Sequence, residues 1–460
     1  MTNRAAHPSK IRSMTEGPLW KEILLFSLPL MLSQVLQVLF NMADVAVVGR
    51  FSGPTALGAV GSTTILVSLF TGFLIGIGSG VNVRIAQYYG AKRSQDIREA
   101  LHTSLILCFF SGVLICLLCL FFAHGMLSIL NTKDELMEGA VLYFKIYALG
   151  MPALGLFNFG NAVLSAIGDT KRPLYYLSAA GILNFALNLF FVIACRLDVA
   201  GVALASIISQ YLSAFLILRQ LLREKGDWQL RLKELRLNRN KAIGILQLGL
   251  PAGFQNVIFA IANLFIQAGV NSFDAVMVAG NSAAANADAL IYNVMAALYT
   301  ACSSFMGQNW GAGKRNRVLK SYFISLGYSF GIGAILGLAL ILFGESFLAL
   351  FTKDAAVIEA GMRRLVIMGF SYALSAFMDC TIAASRGIGK SLAPTIIVIL
   401  GSCVFRVVWV YTVFAHFRTI PALYLLYSFS WTITAAAEII YFAKSYRKLT
   451  LSQTKALPIR

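Results

Sequence analysis

Apolar residues in this chain come in long blocks, separated by short stretches that are polar and mostly basic. Twelve blocks can be drawn, at residues 23–48, 56–88, 101–123, 139–167, 174–195, 199–222, 243–269, 277–308, 321–343, 361–385, 394–414 and 421–443. Blocks 101–123 and 321–343 contain no Asp, Glu, Lys or Arg, and 394–414 contains only Arg406. A helix needs about 20 apolar residues to cross a hydrocarbon core of roughly 30 Å. In lipid each backbone amide must be satisfied inside the segment, so such runs are helices unless they close a barrel. The strict alternation of a barrel strand is absent. The pattern predicts an all-α polytopic membrane protein with twelve transmembrane helices. Blocks 56–88 and 277–308 are too long for one straight crossing, so they should be tilted, kinked or extended past the lipid.

Composition agrees: 58% of the 460 residues are hydrophobic and only 13% charged, with a mean hydropathy of +0.74. That is too little charge for a water-soluble surface of this size. A net charge of +18 invites a nucleic-acid reading, but the basic residues are sorted by loop. The N-terminus, the even-numbered loops, the central linker and the C-terminus hold 28 of the 38 Lys and Arg. This is the positive-inside bias, and it puts both termini and the 219–241 linker in the cytoplasm. No nucleic-acid partner is expected. The first apolar run is longer than a signal-peptide core, so it is expected to stay as a helix. Cys116 and Cys119 form a C-x-x-C inside an unbroken apolar helix, where they read as packing residues.

The chain is internally repeated. Leu28-Pro29 returns as Leu250-Pro251 and Asn41 as Asn263, each 222 residues on. Gln87-x-x-Gly90-Ala91-Lys92-Arg93 returns as Gln308-x-x-Gly311-Ala312-Gly313-Lys314-Arg315, Thr132-Lys133-Asp134 as Thr352-Lys353-Asp354, and Gly168…Pro173 as Gly389…Pro394. Each repeat holds six helices, so both start and finish on the same side and form parallel, pseudosymmetric bundles. The organisation expected is a cytoplasmic N-terminus (1–22), an N-lobe (23–222), a linker (223–242), a C-lobe (243–443) and a cytoplasmic C-terminus (444–460). Two such bundles with a cleft between them suit alternating access.

Most acids lie in loops. Asp44, Asp288, Asp379 and Glu438 fall within apolar blocks. An ionised side chain at bilayer depth costs at least about 2.5–3.5 kcal/mol, so each is a functional candidate. Glu438 lies towards the end of the last block, where it could reach the surface beside Lys444. Asn184 and Asn188 are four apart on one helix face, and Ser206 adds a hydroxyl from the next helix. Such groups can be interhelical glue. With one carboxylate they are also hard oxygen ligands for Na+, and the carboxylate alone could carry a proton. The glycines at 72, 76, 78 and 80 read as close-packing contacts, and Pro29 and Pro251 as kinks or first-turn residues. Gln34, Asn41, Gln255 and Asn256 are polar positions for a substrate cleft, whose aromatic residues would suit a cationic ligand. No H-E-x-x-H or P-loop occurs, so no enzyme activity and no cofactor are expected.

The motifs together resemble the multidrug and toxic compound extrusion (MATE) family of the multidrug/oligosaccharidyl-lipid/polysaccharide exporter superfamily. They are Asn41-Met-Ala-Asp44-Val-Ala-Val-Val-Gly49-Arg50 with Ala56-Leu57-Gly58-Ala59-Val60-Gly61, Ala86-Gln87-Tyr-Tyr-Gly90-Ala91, Gly150-Met-Pro152, Gly201-Val-Ala-Leu-Ala-Ser206, Gly249-Leu-Pro251 and Gly307-Gln-Asn-Trp-Gly311-Ala312. The resemblance runs from about residue 20 to residue 448. It implies a bacterial inner-membrane antiporter, monomeric and surrounded by lipid, that exports amphipathic or cationic organic compounds in exchange for H+ or Na+. Asp44 matches the family's coupling acid in helix 1, Asn184 an asparagine of the first-half cation site and Ser206 its small hydroxyl residue. Asn188 departs from relatives that carry an aspartate there. Where some relatives have an acid in helix 7, this chain has Gln255, Asn256, Asn263 and Gln267, and Asp288 and Asp379 are the second-lobe acids that could replace it. A lipid-linked oligosaccharide flippase is the alternative; it would want a basic cavity, and Arg84, Arg406 and Lys145 are the interior cations the blocks offer. A membrane enzyme or sensor without transport is a third reading, disfavoured by the duplication.

Overall fold

The computed structural model describes residues 14–455, so the first 13 and last five residues of the two terminal segments lie outside the described residues. The helices are α1 (Leu19–Phe51), α2 (Gly53–Gly90), α3 (Ser94–Ile129), α4 (Asp134–Ala148), α5 (Met151–Ile167), α6 (Lys171–Ala194), α7 (Asp198–Arg223), α8 (Arg239–Val270), α9 (Ala275–Gly311), α10 (Arg315–Leu348), α11 (Ala355–Gly387), α12 (Leu392–Phe417) and α13 (Ile420–Lys455). Among the described residues there is no strand. Eleven helices are long and apolar enough to cross a membrane, and the bent pair α4–α5 makes a twelfth crossing. α1–α7 form one six-crossing lobe and α8–α13 the other.

The long second and eighth blocks are continuous helices of 38 and 37 residues, α2 and α9. At about 1.5 Å per residue they outrun the hydrocarbon core, so they extend past it rather than break. The break falls instead in the fourth block, where α4 and α5 meet at 44°. Pro152 cannot donate to Ala148 and its ring crowds that carbonyl, so the helix restarts at Met151. α11, the corresponding crossing of the second lobe, has no proline and runs unbroken. Pro29 and Pro251 both lie well inside their helices, α1 and α8, not in the first turn.

Of the four glycines at 72, 76, 78 and 80, Gly78 packs on Asn158 of its own lobe, and the other three face the opposite lobe. A methyl group on Gly76 would lie 2.2 Å from the backbone nitrogen of Gly253, and one on Gly80 would lie 2.6 Å from that of Gly249. Backbones that approach so closely admit only glycine, the device membrane helices use where lipid offers no hydrophobic drive. The start of α1 packs on the end of α9, with Phe26 and Phe305 edge to face at 5.4 Å. These inter-lobe contacts lie in the halves of the helices nearest the α2–α3 and α9–α10 turns. Lys92, Arg93, Lys314 and Arg315 sit on that side, called here the basic face.

The connector between α7 and α8 is held against the N-lobe. Leu230 is buried, Trp228 meets Tyr89 at 5.7 Å, and Asp227 accepts from Ser94 at 2.5 Å. The C-terminal segment differs from a free tail: α13 continues to Lys455, because Trp310 packs on Tyr446 and the Tyr446 hydroxyl donates to the Arg315 carbonyl.

Candidate functional site

In α6, Asn184 and Asn188 point the same way, one turn apart, and a widened π-type turn follows at Phe190–Ala194. Such turns often mark functional sites in helices. The Asn188 amide donates both to Asp44 of α1 and, at 3.2 Å, to the Asn184 side-chain oxygen. The Ser206 hydroxyl of α7 bonds the same Asp44 carboxylate. Asp44 thus turns towards α6 and α7 and is not a surface acid paired with Arg50. The side-chain oxygen of Asn188 is buried and has no hydrogen-bond partner. One carboxylate, the Asn184 amide oxygen and a hydroxyl therefore gather around Asn188, whose own amide oxygen is buried without a partner. This donor set fits a hard monovalent cation. Tyr143 and Tyr147 of α4, stacked at 5.9 Å, lie beside Asp44. Nothing in the pattern of α4 marks those two tyrosines out.

The second lobe does not repeat this cluster. At the 222-residue offset of Asn41 and Asn263, Asp44 corresponds to Ile266, and at the 221-residue offset of Pro173 and Pro394, Asn184 corresponds to Phe405. Arg406 is 3% exposed, donates to Ser430 at 3.1 Å and lies 4.6 Å over the Tyr427 ring.

Asp288 and Asp379 join separate sets of partners. Asp288 is ion-paired with Arg364 and accepts from the Tyr372 hydroxyl. Arg364 also donates to Asn281, which accepts from Tyr424 at 2.6 Å. Arg364 is only 7% exposed, so it is not a helix-end cation. Successive residues on a helix point about 100° apart, so Arg363 can face water while Arg364 faces the bundle. Asp379 lies near Arg386 and Arg406. Arg386 also points inward, donating to Gln255 at 2.8 Å. Glu438 does not reach the surface beside Lys444: it is fully buried near Arg386 and Asp379, and neither carboxylate oxygen has a hydrogen-bond partner.

The remaining polar positions divide. Gln255 is buried inside the C-lobe with Arg386 and Thr395, which removes it from the cleft. Asn256 donates across the lobes to the Gly72 carbonyl at 2.8 Å. Gln34 is half-buried and Asn41 exposed on α1. Asn263 and Gln267 are exposed on α8, and Gln267 donates to Asn271 rather than joining either acid. Lys145 is exposed. The interior cations are therefore Arg84, Arg364, Arg386 and Arg406. Arg364 and Arg406 are buried among their own partners rather than lining an open basic trough.

Twelve crossings in two pseudosymmetric six-helix lobes, with polar clusters buried inside each, define a duplicated membrane transporter. The sequence pattern of the MatE family matches residues 29–190 and again 251–412. The chain belongs to the MatE family, whose members are transporters and not enzymes. A probable multidrug resistance protein of Bacillus subtilis, YoeA, is 27% identical over 399 residues, covering 85% of this chain and 86% of that one. A protein of Shewanella oneidensis named FAD transporter is 25% identical over 75% of this chain and 77% of its own length. A solved structure described as the outward-facing conformation of a multidrug resistance MATE family transporter superposes with a TM-score of 0.89 at 23% identity. It spans 97% of this chain and all of that one.

Proposed function

We propose that this protein is a cation-coupled antiporter that exports small amphipathic or cationic organic compounds, with Asp44 carrying the coupling. The observation that supports it is the inward-turned Asp44 carboxylate, gathered with Asn184, Asn188 and Ser206 beside an unpartnered buried oxygen. The coupling ion is H+ on the carboxylate or Na+ among the oxygens. The loop charges favour a cytoplasmic basic face in a bacterial inner membrane. With that orientation, the inter-lobe contacts lie on the cytoplasmic side, which favours an outward-open state that releases substrate and loads the cation. The similarity to multidrug resistance proteins favours organic export, and the buried, partnered state of Arg364 and Arg406 speaks against a diphosphate-binding flippase.

The test is dye efflux from proteoliposomes under separately imposed proton and sodium gradients, comparing the natural chain with Asp44→Asn. Efflux driven by one gradient and lost in the variant supports the reading. Undiminished efflux in Asp44→Asn removes Asp44 from it, and efflux under neither gradient removes cation coupling.

A further inference from the structure

The duplicated Gln-x-x-Gly sequence is the most regular part of the repeat, and the cation cluster leaves it unexplained. In the structure the two copies meet each other. Gln87 of α2 crosses to the C-lobe, where its side-chain amide donates to the Gly387 carbonyl at 2.9 Å. Gln308 of α9 crosses to the N-lobe and donates to the Ala166 carbonyl at 2.6 Å. Donors and acceptors are both related by 221 residues, so this is one contact made twice about the pseudo-twofold axis. The glycines are reciprocal as well. A methyl group on Gly90 would lie 2.0 Å from the Gln308 backbone oxygen, and one on Gly311 would lie 2.0 Å from that of Gln87. Between them Ser304 donates to Asn82 at 2.9 Å. Arg84 steadies Gln87 by donating to its side-chain oxygen at 3.2 Å, while also donating to the Gly244 carbonyl of α8 at 2.9 Å.

The acceptors explain why such a contact can open. Ala166 is next to last in α5 and Gly387 is the last residue of α11. Carbonyls in a helix's final turn have no intrahelical donor. With the lobes together the glutamine amides satisfy them; with the lobes apart, at the membrane surface, water can. The net cost of breaking each bond is therefore small. Glycine at 90 and 311 is required only in the closed arrangement, because only there do the opposing backbones touch.

We infer that the repeated Gln-x-x-Gly sequences form a reciprocal latch that holds the lobes closed at the basic face and must part in each transport cycle. Gln87, Gln308, Gly90 and Gly311 are positioning residues that set the balance between the two states. The inference rests on alternating access and adds the gate to it.

The test uses the full chain in lipid nanodiscs, with spin labels on cysteines placed at Gln95 and Lys320, which are exposed at the starts of α3 and α10. Cys195 is replaced by serine, since the other six cysteines are buried. Double electron–electron resonance then reads the distance between lobes. Each of Gln87→Leu and Gln308→Leu should raise the ratio of open to closed molecules about fivefold, and the pair about 25-fold. Gly90→Ala or Gly311→Ala should remove the short distance even with both glutamines present, because the added methyl meets a backbone oxygen. Distance distributions that superimpose on that of the parent chain in all variants would overturn the latch. If the double glutamine variant is not recovered from membranes, Gly90→Ala decides: loss of the short distance supports the latch, and its persistence overturns it. Efflux is measured separately. A parent chain that transports while the distances do not respond defeats the latch alone, and responsive distances without efflux defeat the transport reading alone.

Discussion

Replacing Arg364 tests whether Asp288 is a structural partner or a coupling acid. Its guanidinium is 7% exposed, pairs with Asp288, donates to Asn281 and lies 5.1 Å over the Tyr424 ring. Arg364→Met keeps much of the volume and removes the charge. Asp288 then keeps only the Tyr372 hydroxyl, and Asn281 keeps Tyr424. Breaking a buried ion pair from one side costs about 3–5 kcal/mol, because the remaining charge is left without compensation. Removing both charges with Arg364→Met and Asp288→Leu should recover most of that, since a well-packed apolar pair is often neutral or better. The double-mutant cycle should therefore show a large favourable interaction between the two sites. The assay is unfolding of the purified protein in lipid-containing micelles, with efflux measured in parallel. Arg364→Met should unfold at a clearly lower temperature, and the double variant close to the parent. The reasoning is refuted if Arg364→Met unfolds where the parent does. It is also refuted if Asp288→Asn abolishes cation-driven efflux with stability unchanged, since Asp288 would then be a coupling acid.

Other outcomes follow from the same geometry. Asp44→Asn should leave the protein in the membrane and reduce cation-driven efflux to background, read in proteoliposomes. Asn188→Asp would put a second carboxylate beside Asp44; if Na+ is the coupling ion, its apparent affinity should rise at least about tenfold, about 1.4 kcal/mol, measured from the sodium dependence of efflux. Trp228→Ala should free the connector between α7 and α8, because it removes the ring packed on Tyr89. Limited proteolysis should then cut within residues 224–238 faster than in the parent, at unchanged cutting elsewhere.

Some features were legible because they are local and additive. A crossing helix is a run of apolar residues long enough for the bilayer, so hydropathy alone located every crossing. It missed only the hinge inside the fourth, although Gly150-Met-Pro152 was in view and a proline in mid-helix is itself a local signal. The duplication was legible because repeated residues keep their spacing. Asn184 and Asn188 could be put on one face from helical geometry, but joining them to Asp44 and Ser206 needed the family resemblance.

Partnership across helices is another matter. Hydropathy classes Arg364 and Arg386 as helix-end cations, while the fold turns both inward, one to Asp288 and the other to Gln255. Glu438 could have reached the surface, yet α13 faces it into the C-lobe, where it is fully buried. The glycines of α2 could be read as packing contacts from sequence, but not that Gly76 and Gly80 meet Gly253 and Gly249 of the opposite lobe. The amino-acid sequence by itself determined the crossings, the repeat and the sorting of charge, because each depends on how one segment partitions between water and lipid. Only the tertiary structure decided which buried charge answers which, and that the two Gln-x-x-Gly copies face each other. Those depend on the rotation and neighbours of whole helices, which no single segment encodes.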